Sequence, residues 1–523
     1  MTTPQSKIAI VGAGVFGLST ALHLAKRGYK DVTVFDYQPY HENAYNPDQG
    51  CDSASADVNK VYRCSYGNEI EYQDLAFSGL KIWKEWNEEI AKSRPEDLPK
   101  GLTPKDQLLF LNGFLKLASS SELSEYDIQS LKALEKAGLR EYQHVLLDEQ
   151  DLKRLEEKEL KDPSSHWKRK IESLNKPPGG DGKPLNGFID TTAGFTYADK
   201  ACTWARHLAE KSGVKFILGP ETGKFDELII EQNEETKEKF VKGLRTVDGK
   251  EHFVDVVVVA GGGWTPGIVP EVENLLETTA GSVVTIQLPK DRPDLWDKFS
   301  PEKFPVWAYG FTGAVSPEFG GIYGFPRTPE GKIKIGYRGR KWTNFQTQPK
   351  TGKRLSVPIT KYTDVKATNL PKKAIDNIKI VIAQFFPELK EIGITDTRMC
   401  WYTDSIDNSF VIDYVPSLSS YSNGKGLFVA SGGSGHGFKF LPVLGEHIVN
   451  QLEGKKDQFT NLWKWRSRSF KADEKVNGLE EGELSSRNLI NLELATENDW
   501  KWAKEHPEAA LESVNFQSLK VSA

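Results

Sequence analysis

The sequence predicts an α/β plus α+β protein, in which a Rossmann-type dinucleotide-binding domain with a parallel sheet is interrupted by a substrate domain with a mostly antiparallel sheet. Three observations lead there. Positions 7–36 read as strand, glycine turn, helix, strand and acidic residue, the order of one βαβ unit. Two later apolar runs, Val254 to Val259 and Leu427 to Ser431, also end in glycine loops. Between those runs the pattern alternates as antiparallel strands do.

In the opening unit, Lys7 to Val11 is the first strand. Gly12 permits the tight turn, Gly14 lets backbone approach a pyrophosphate, and Gly17 lets helix pack closely on strand. Val15 and Phe16 begin a helix running to Lys26, whose positive N-terminal end suits phosphate. Asp36 follows about 20 residues after the last glycine, where a carboxylate accepts ribose hydroxyls.

A chain of 523 residues can hold two or three domains, and 38% hydrophobic with 27% charged residues is ordinary for an enzyme. The net charge of −5 argues against nucleic acid as a partner. No apolar run reaches the length of a membrane span. The first strand begins within ten residues, leaving no room for a signal peptide, and Lys520 to Ala523 is not a Ser-Lys-Leu type signal. A cytoplasmic monomer is expected. Four scattered cysteines and nine histidines without HxxxH spacing predict neither a disulfide framework nor a metal centre.

After Asp36 comes a polar loop, Tyr37 to Asp52, then the small residues Ser53 to Ala56, where backbone can approach a cofactor, and a strand through Asn59, Lys60 and Arg63. Leu75, Leu80, Trp83 and Trp86 make Tyr72 to Ala91 an amphipathic helix with a core face. A charged insertion, 91–186, carries a strand-like Gln107 to Leu111, helices near Asp127 to Lys136 and Asp148 to Lys158, and a Pro-Gly loop at 175–182. The α/β pattern resumes at Gly187, with helix Asp199 to Ser212, strand Val214 to Leu218 and an antiparallel ribbon over 223–250. Val254 to Val259, broken only by Asp255, is otherwise a continuous apolar run, as a strand buried on both faces is, and runs into Ala260-Gly261-Gly262-Gly263-Trp264. Alternating strands include Ser282 to Leu288, Gly320 to Phe325 and Lys332 to Tyr337; helix Lys372 to Phe386 follows, with Ile375, Ile378, Ile382 and Phe385 on one face. The last glycine loop, Gly432 to Gly437, enters a helix around Leu441 to Leu452. The tail from Lys455 is polar but carries Trp463, Trp465, Trp500 and Trp502, and is expected to drape over the surface.

A nucleotide fold left and re-entered twice does not suit a simple nicotinamide dehydrogenase. It is the organisation of flavoprotein oxidases. Met399-Cys400-Trp401-Tyr402-Thr403-Asp404, then Asp407 and Phe410 to Asp413, then Ser434-Gly435-His436-Gly437-Phe438-Lys439 form three linked motifs. On these the chain resembles the sarcosine oxidase-like branch of the FAD-dependent amine and amino-acid oxidases. That branch includes pipecolate oxidases, fungal saccharopine oxidases and fructosyl amino-acid oxidases (amadoriases). The resemblance spans most of 7–452, is weak in the insertion and absent from the tail.

The resemblance implies FAD, tethered through a thioether at Cys400, against the alternative of a buried free cysteine. It implies that Lys334 faces the flavin and stabilises the charge that develops on O2, rather than being an exposed lysine. Lys439 matches a lysine that binds the substrate carboxylate. His436 and Gly437 match the His-Gly of sarcosine and pipecolate oxidases, where one amadoriase group carries Arg in place of His436. Asn59-Lys60 resembles the amadoriases, and Lys60 lacks the fork of the arginine found in sarcosine oxidases. Arg63 is implied as a substrate or flavin contact, against a surface salt bridge. His436 is expected to bind substrate with Lys439 and Arg63, and cofactor contacts are further expected at Gly12, Gly14, Val15, Phe16, Gly17, Asp36, Ser53, Ala54, Asn59, Lys60, Val214, Gly261, Trp264, Gly433, Gly435, Gly437, Phe438 and Lys439. FAD-binding parts are expected at 1–75, 187–266 and 398–454, substrate-domain parts at 76–186 and 267–397, and a tail at 455–523. The expected activity is oxidation of a secondary amino acid of saccharopine, pipecolate or sarcosine type, by hydride transfer to flavin, imine hydrolysis and reduction of O2 to hydrogen peroxide. Oxidative deglycation of fructosyl amino acids is the alternative within the class; a flavin dehydrogenase with another electron acceptor is the alternative outside it.

Overall fold

A computed structural model describes residues 1–51, 53–119, 122–311, 321–360, 363, 369–420, 424–466 and 481–502. Asp52, Gly320 and the tail segments 467–480 and 503–523, all named above, lie outside the described residues.

The opening unit forms as its pattern dictates: β1 (Lys7–Val11), α1 (Val15–Lys26) and β2 (Asp31–Asp36). It seeds a six-stranded sheet in which β2 is flanked by β3 (Lys215–Leu218) and β1 by β4 (Val256–Val259). Beyond β4 lie β5 (Val411–Ser420) and β6 (Lys425–Ser431), in the order β5-β6-β4-β1-β2-β3. Only the edge strand β5 runs antiparallel. All four residues of β4 are fully buried, the expectation for a strand covered on both faces. The carboxyl ends of β6, β4 and β1 are adjacent, so three glycine loops separated by hundreds of residues meet along one sheet edge. Open α/β sheets bind their ligands at such an edge.

The closing helix α2 (Leu444–Leu452) locks onto α1. A Cβ at Gly445 would lie 1.9 Å from the Ser19 carbonyl oxygen, so only glycine permits this approach. The Gly445 N–H donates to Ser19 Oγ at 2.7 Å, and His23 Nε2 meets the Pro442 carbonyl at 2.9 Å.

The second sheet has eight strands and is mostly antiparallel. Its long strands are Leu276–Gln287, Lys332–Trp342 and Asp396–Ser405. The insertion contributes Phe114–Leu117 and Gln143–Val145, and one pair, Phe114–Leu117 with Val306–Tyr309, is parallel. Two segments grouped with the nucleotide part by sequence are strands of this sheet. Gly187–Asp190 pairs with both insertion strands, and Asp396–Ser405 pairs with Leu276–Gln287. Each is a short apolar or alternating run that periodicity alone cannot assign to a sheet.

The insertion also holds a helix that was not expected, Trp167–Asn175, with Trp167, Ile171 and Leu174 buried at helical spacing. Within the tail, Trp463 is buried in the first core, and Trp500 and Trp502 pack on the core of the large sheet. Among the described residues no helix is long and apolar enough to cross a membrane.

Candidate active site

The glycine-bearing sheet edge and the large sheet enclose a cavity of about 1530 Å³. That exceeds a site for one small ligand, roughly 300–1,000 Å³, and has room for a dinucleotide with a substrate.

One part of the cavity is backbone. Gly12, at φ 109°, turns under the Ala260 carbonyl, which a Cβ would approach to 2.4 Å. Gly14 lies against Ser55, whose Oγ accepts the Val15 N–H at 3.0 Å. Gly17 does not line the cavity; its Cα presses on the Gly12 carbonyl, where a Cβ would come within 1.8 Å. Asp36 holds the turn, accepting the Ala13 N–H at 2.7 Å and the Gln38 N–H at 2.9 Å. Burial pushes its carboxyl up to about 6 against those two donors. Val15, Phe16, Ser53, Ala54, Gly261, Trp264, Gly433, Gly435, Gly437 and Phe438 all line the cavity. Val214 does not: it is buried in the core ahead of β3, and Pro220, Gly223 and Lys224 after that strand take its place. Glycine walls, a held carboxylate and an open helix N-terminus fit a dinucleotide such as FAD.

A second part is a buried ion cluster. Lys334, only 4% exposed, donates to Asp57 Oδ2 at 2.9 Å and to the Asn59 carbonyl at 2.6 Å, with Phe325 beneath it. Lys60 meets the same Asp57 oxygen at 2.7 Å. Burial alone would raise the Asp57 carboxyl, but Lys334, Lys60 and Arg398 hold it well below the usual range. Burial also lowers the Lys334 ammonium, and Asp57 opposes that. Lys332, two residues away, pairs with Asp48 near the surface instead. Arg398 anchors the small-residue loop by donating to the carbonyls of Ala56 at 2.6 Å and Ser53 at 2.9 Å. Asn59 Oδ1 is buried without a partner among the described residues. Cys400 sits on the large sheet opposite Gly281, and of the four cysteines it alone lines the cavity.

The third part surrounds Tyr66. Lys439 Nζ donates to Tyr66 Oη at 2.7 Å and to the His436 carbonyl at 2.8 Å. Tyr66 Oη meets His436 Nδ1 at 3.2 Å, and His436 Nε2 meets the Asn408 carbonyl at 3.0 Å. A carbonyl only accepts, so Nε2 carries the proton, Nδ1 accepts from Tyr66, and Tyr66 accepts from Lys439. The relay has one consistent direction. Burial and Lys439 drive the His436 imidazolium well below its ordinary range, in keeping with a neutral ring. Both ring nitrogens of His436, expected to bind substrate, are engaged by Tyr66 and the Asn408 carbonyl, so the ring orients Tyr66. Arg63 stacks on Tyr66 at 4.8 Å and donates to the Ser65 carbonyl. Burial, then Arg63 and more weakly Arg338, push the Lys439 ammonium well down. Trp83 fixes its backbone, donating to the Lys439 carbonyl at 2.8 Å.

The fold thus gathers every expected site residue except Val214 and the packing glycine Gly17. Sequence reasoning missed Asp57, Tyr66, Tyr323 and Arg338. Arg338 had a signal, since it shares a strand face with Lys334 and Gly336. Asp57 and Tyr66 had none, because their partners lie 277 and 373 residues away.

Comparisons with known proteins agree with this geometry. L-saccharopine oxidase of Schizosaccharomyces pombe is 27% identical over 469 residues, covering 88% of this chain and 93% of that protein. Monomeric sarcosine oxidase of a Bacillus species is 25% identical, over 84% of this chain and 91% of its own. Among solved structures, a modified fructosyl peptide oxidase from Aspergillus nidulans aligns with a TM-score of 0.70 at 26% identity, covering 96% of this chain and 100% of that one. Residues 7–451 match the family described as FAD dependent oxidoreductase, and the chain belongs to that family: it is an FAD-dependent oxidoreductase.

Proposed function

We propose that the protein is an oxidase of secondary amino acids that uses O2 and forms hydrogen peroxide. The observation that carries this is the convergence of Lys334, Cys400 and the Arg63–Tyr66–Lys439 group on the cavity that the glycine loops line. FAD, when bound, accepts a hydride from the carbon beside the substrate nitrogen and passes two electrons to O2. Gly12, Gly14 and Asp36 would hold its adenosine and pyrophosphate end, and Cys400 would tether it by a thioether.

Lys439 and Arg63 would take the substrate α-carboxylate, Arg63 as a planar fork and Lys439 as a point charge. An arriving carboxylate restores the Lys439 charge that burial opposes. The same cations disfavour a proton on the substrate amine, so they keep its nitrogen lone pair available to form the C=N bond. No acid–base dyad is then needed; water adds to the released imine. Lys334, fixed by Asp57 and the Asn59 carbonyl, provides an immobile positive charge where O2 becomes anionic.

A second reading, oxidative deglycation of fructosyl amino acids, is favoured by the likeness to a fructosyl peptide oxidase at a TM-score of 0.70. Pipecolate, saccharopine, sarcosine and fructosyl-valine, each scored for peroxide under air, separate the two. Peroxide from the first three supports the secondary amino acid reading, and peroxide from fructosyl-valine alone supports deglycation. Flavin that is bleached by substrate but yields no peroxide identifies a dehydrogenase.

Lys334→Met is expected to slow reoxidation of the reduced enzyme by about 100-fold or more while anaerobic reduction changes far less. Stopped-flow traces with equal reoxidation rates would remove Lys334 from that role. Acid-precipitated wild-type protein should retain yellow flavin and Cys400→Ser should release it; free flavin in the wild-type supernatant refutes the tether.

A further inference from the structure

Charge pairing divides the cavity. Lys60 and Lys334 share Asp57, Lys341 meets Asp404 at 2.7 Å, and Lys116 meets Asp127. Around the last glycine loop the pattern changes. Arg63, Arg338 and Lys439 form no ion pair among the described residues. Their partners are neutral: Arg63 has the Ser65 carbonyl, and Lys439 has the His436 carbonyl and Tyr66. Arg338 donates to the Ser434 carbonyl at 2.8 Å and to the Gly435 carbonyl at 3.4 Å. Glu69 acts on Arg63 and Lys439 only at a distance and is solvent-exposed.

Arg338 and Lys439 therefore grip consecutive carbonyls, 434–436, of one loop, and Arg63 lies across Tyr66 from Lys439. Gathered beside one cavity, Arg63, Arg338 and Lys439 disfavour one another's charge, and burial adds to that at Lys439, until anions arrive. A single α-carboxylate satisfies Arg63 and Lys439. It leaves Arg338, which stands on the large sheet near Tyr323 and Tyr402, with a guanidinium that forms no ion pair among the described residues.

We propose that Arg338 is a specificity-determining residue that receives a second carboxylate, so that the preferred substrate is a secondary amine bearing at least two carboxylates. This rests on the secondary amino acid reading above and narrows it. A guanidinium fork matches a carboxylate bidentately, and an amide at the same position would leave it unpaired.

The test compares N-methyl-L-glutamate with N-methyl-L-glutamine, which have nearly the same shape and differ by one charge. Anaerobic flavin reduction by the wild-type protein should favour the glutamate analogue by roughly tenfold or more in second-order rate constant, the worth of one charge-assisted contact. Arg338→Gln should bring that ratio below about threefold by slowing the glutamate analogue selectively, and Arg338→Lys should recover part of it. Titration with non-reactive glutarate and butyrate, followed by isothermal calorimetry, should show the same loss of preference in Arg338→Gln. Equal wild-type rates for the two analogues overturn the proposal without any variant, as does an Arg338→Gln that slows both alike. If neither analogue, nor saccharopine, pipecolate or sarcosine, reduces the flavin, the underlying reading fails and this one with it.

Discussion

The structure depends on a buried ion pair beside the cavity, Lys334 with Asp57 at 2.9 Å. Lys334 is enclosed by the large sheet, and the carboxylate that stabilises it comes from the loop after the opening βαβ unit, 277 residues away. Asp57 carries Lys60 as well and lies within the field of Arg398, which in turn pins the loop at Ser53 and Ala56. The ion pair thus clamps the loop that follows the opening βαβ unit onto the large sheet as much as it makes a local contact. Removing one partner of such a buried pair typically costs about 3–5 kcal/mol, because the other charge is left uncompensated. Placing the clamp beside the cavity couples the docking of that loop to the position of Lys334 there.

The remaining geometry follows from strand order. Three glycine loops reach one edge because β6, β4 and β1 are neighbours, although they come from opposite ends and the middle of the chain. Backbone walls on this side leave the charged chemistry to side chains of the large sheet and of the last loop. Lys334 and Arg338 stand on one strand, Cys400 on another, and Lys439 is held by Trp83 from a helix before the insertion. Among the described residues Lys60, Lys334 and Lys341 are ion-paired, whereas Arg63, Arg338 and Lys439 bond only to neutral groups.

What was legible in the sequence was local. Gly12, Gly14, Gly17 and Asp36 announce a nucleotide turn because its constraints act within one βαβ unit, and the apolar Val256–Val259 announces burial by composition alone. Motif resemblance reached Cys400, Lys334 and Lys439. The Tyr66 relay was not legible: hydrogen-bond partners hundreds of residues apart leave no periodic trace. Gly187–Asp190 reads equally well as a strand of either sheet until its partners are known, and Val214 stands one residue before β3, buried, while the lining passes to Pro220 and Lys224. Arg338 alternates with Lys334 along one strand, but a cation-rich alternating strand reads equally as a solvated face.

The most direct test of the central claim is the pH dependence of oxygen reactivity in Asp57→Asn. Burial depresses the Lys334 ammonium, and Asp57 is the group that opposes this. In the wild-type protein the cation should persist, and reoxidation of the reduced flavin should be flat across neutral and mildly alkaline pH. In Asp57→Asn the lysine titrates lower, so reoxidation should fall as pH rises and the positive charge is lost, and should recover toward the wild-type rate at acid pH. A profile for Asp57→Asn that stays parallel to the wild type would show that Asp57 does not sustain the charge and would contradict the account.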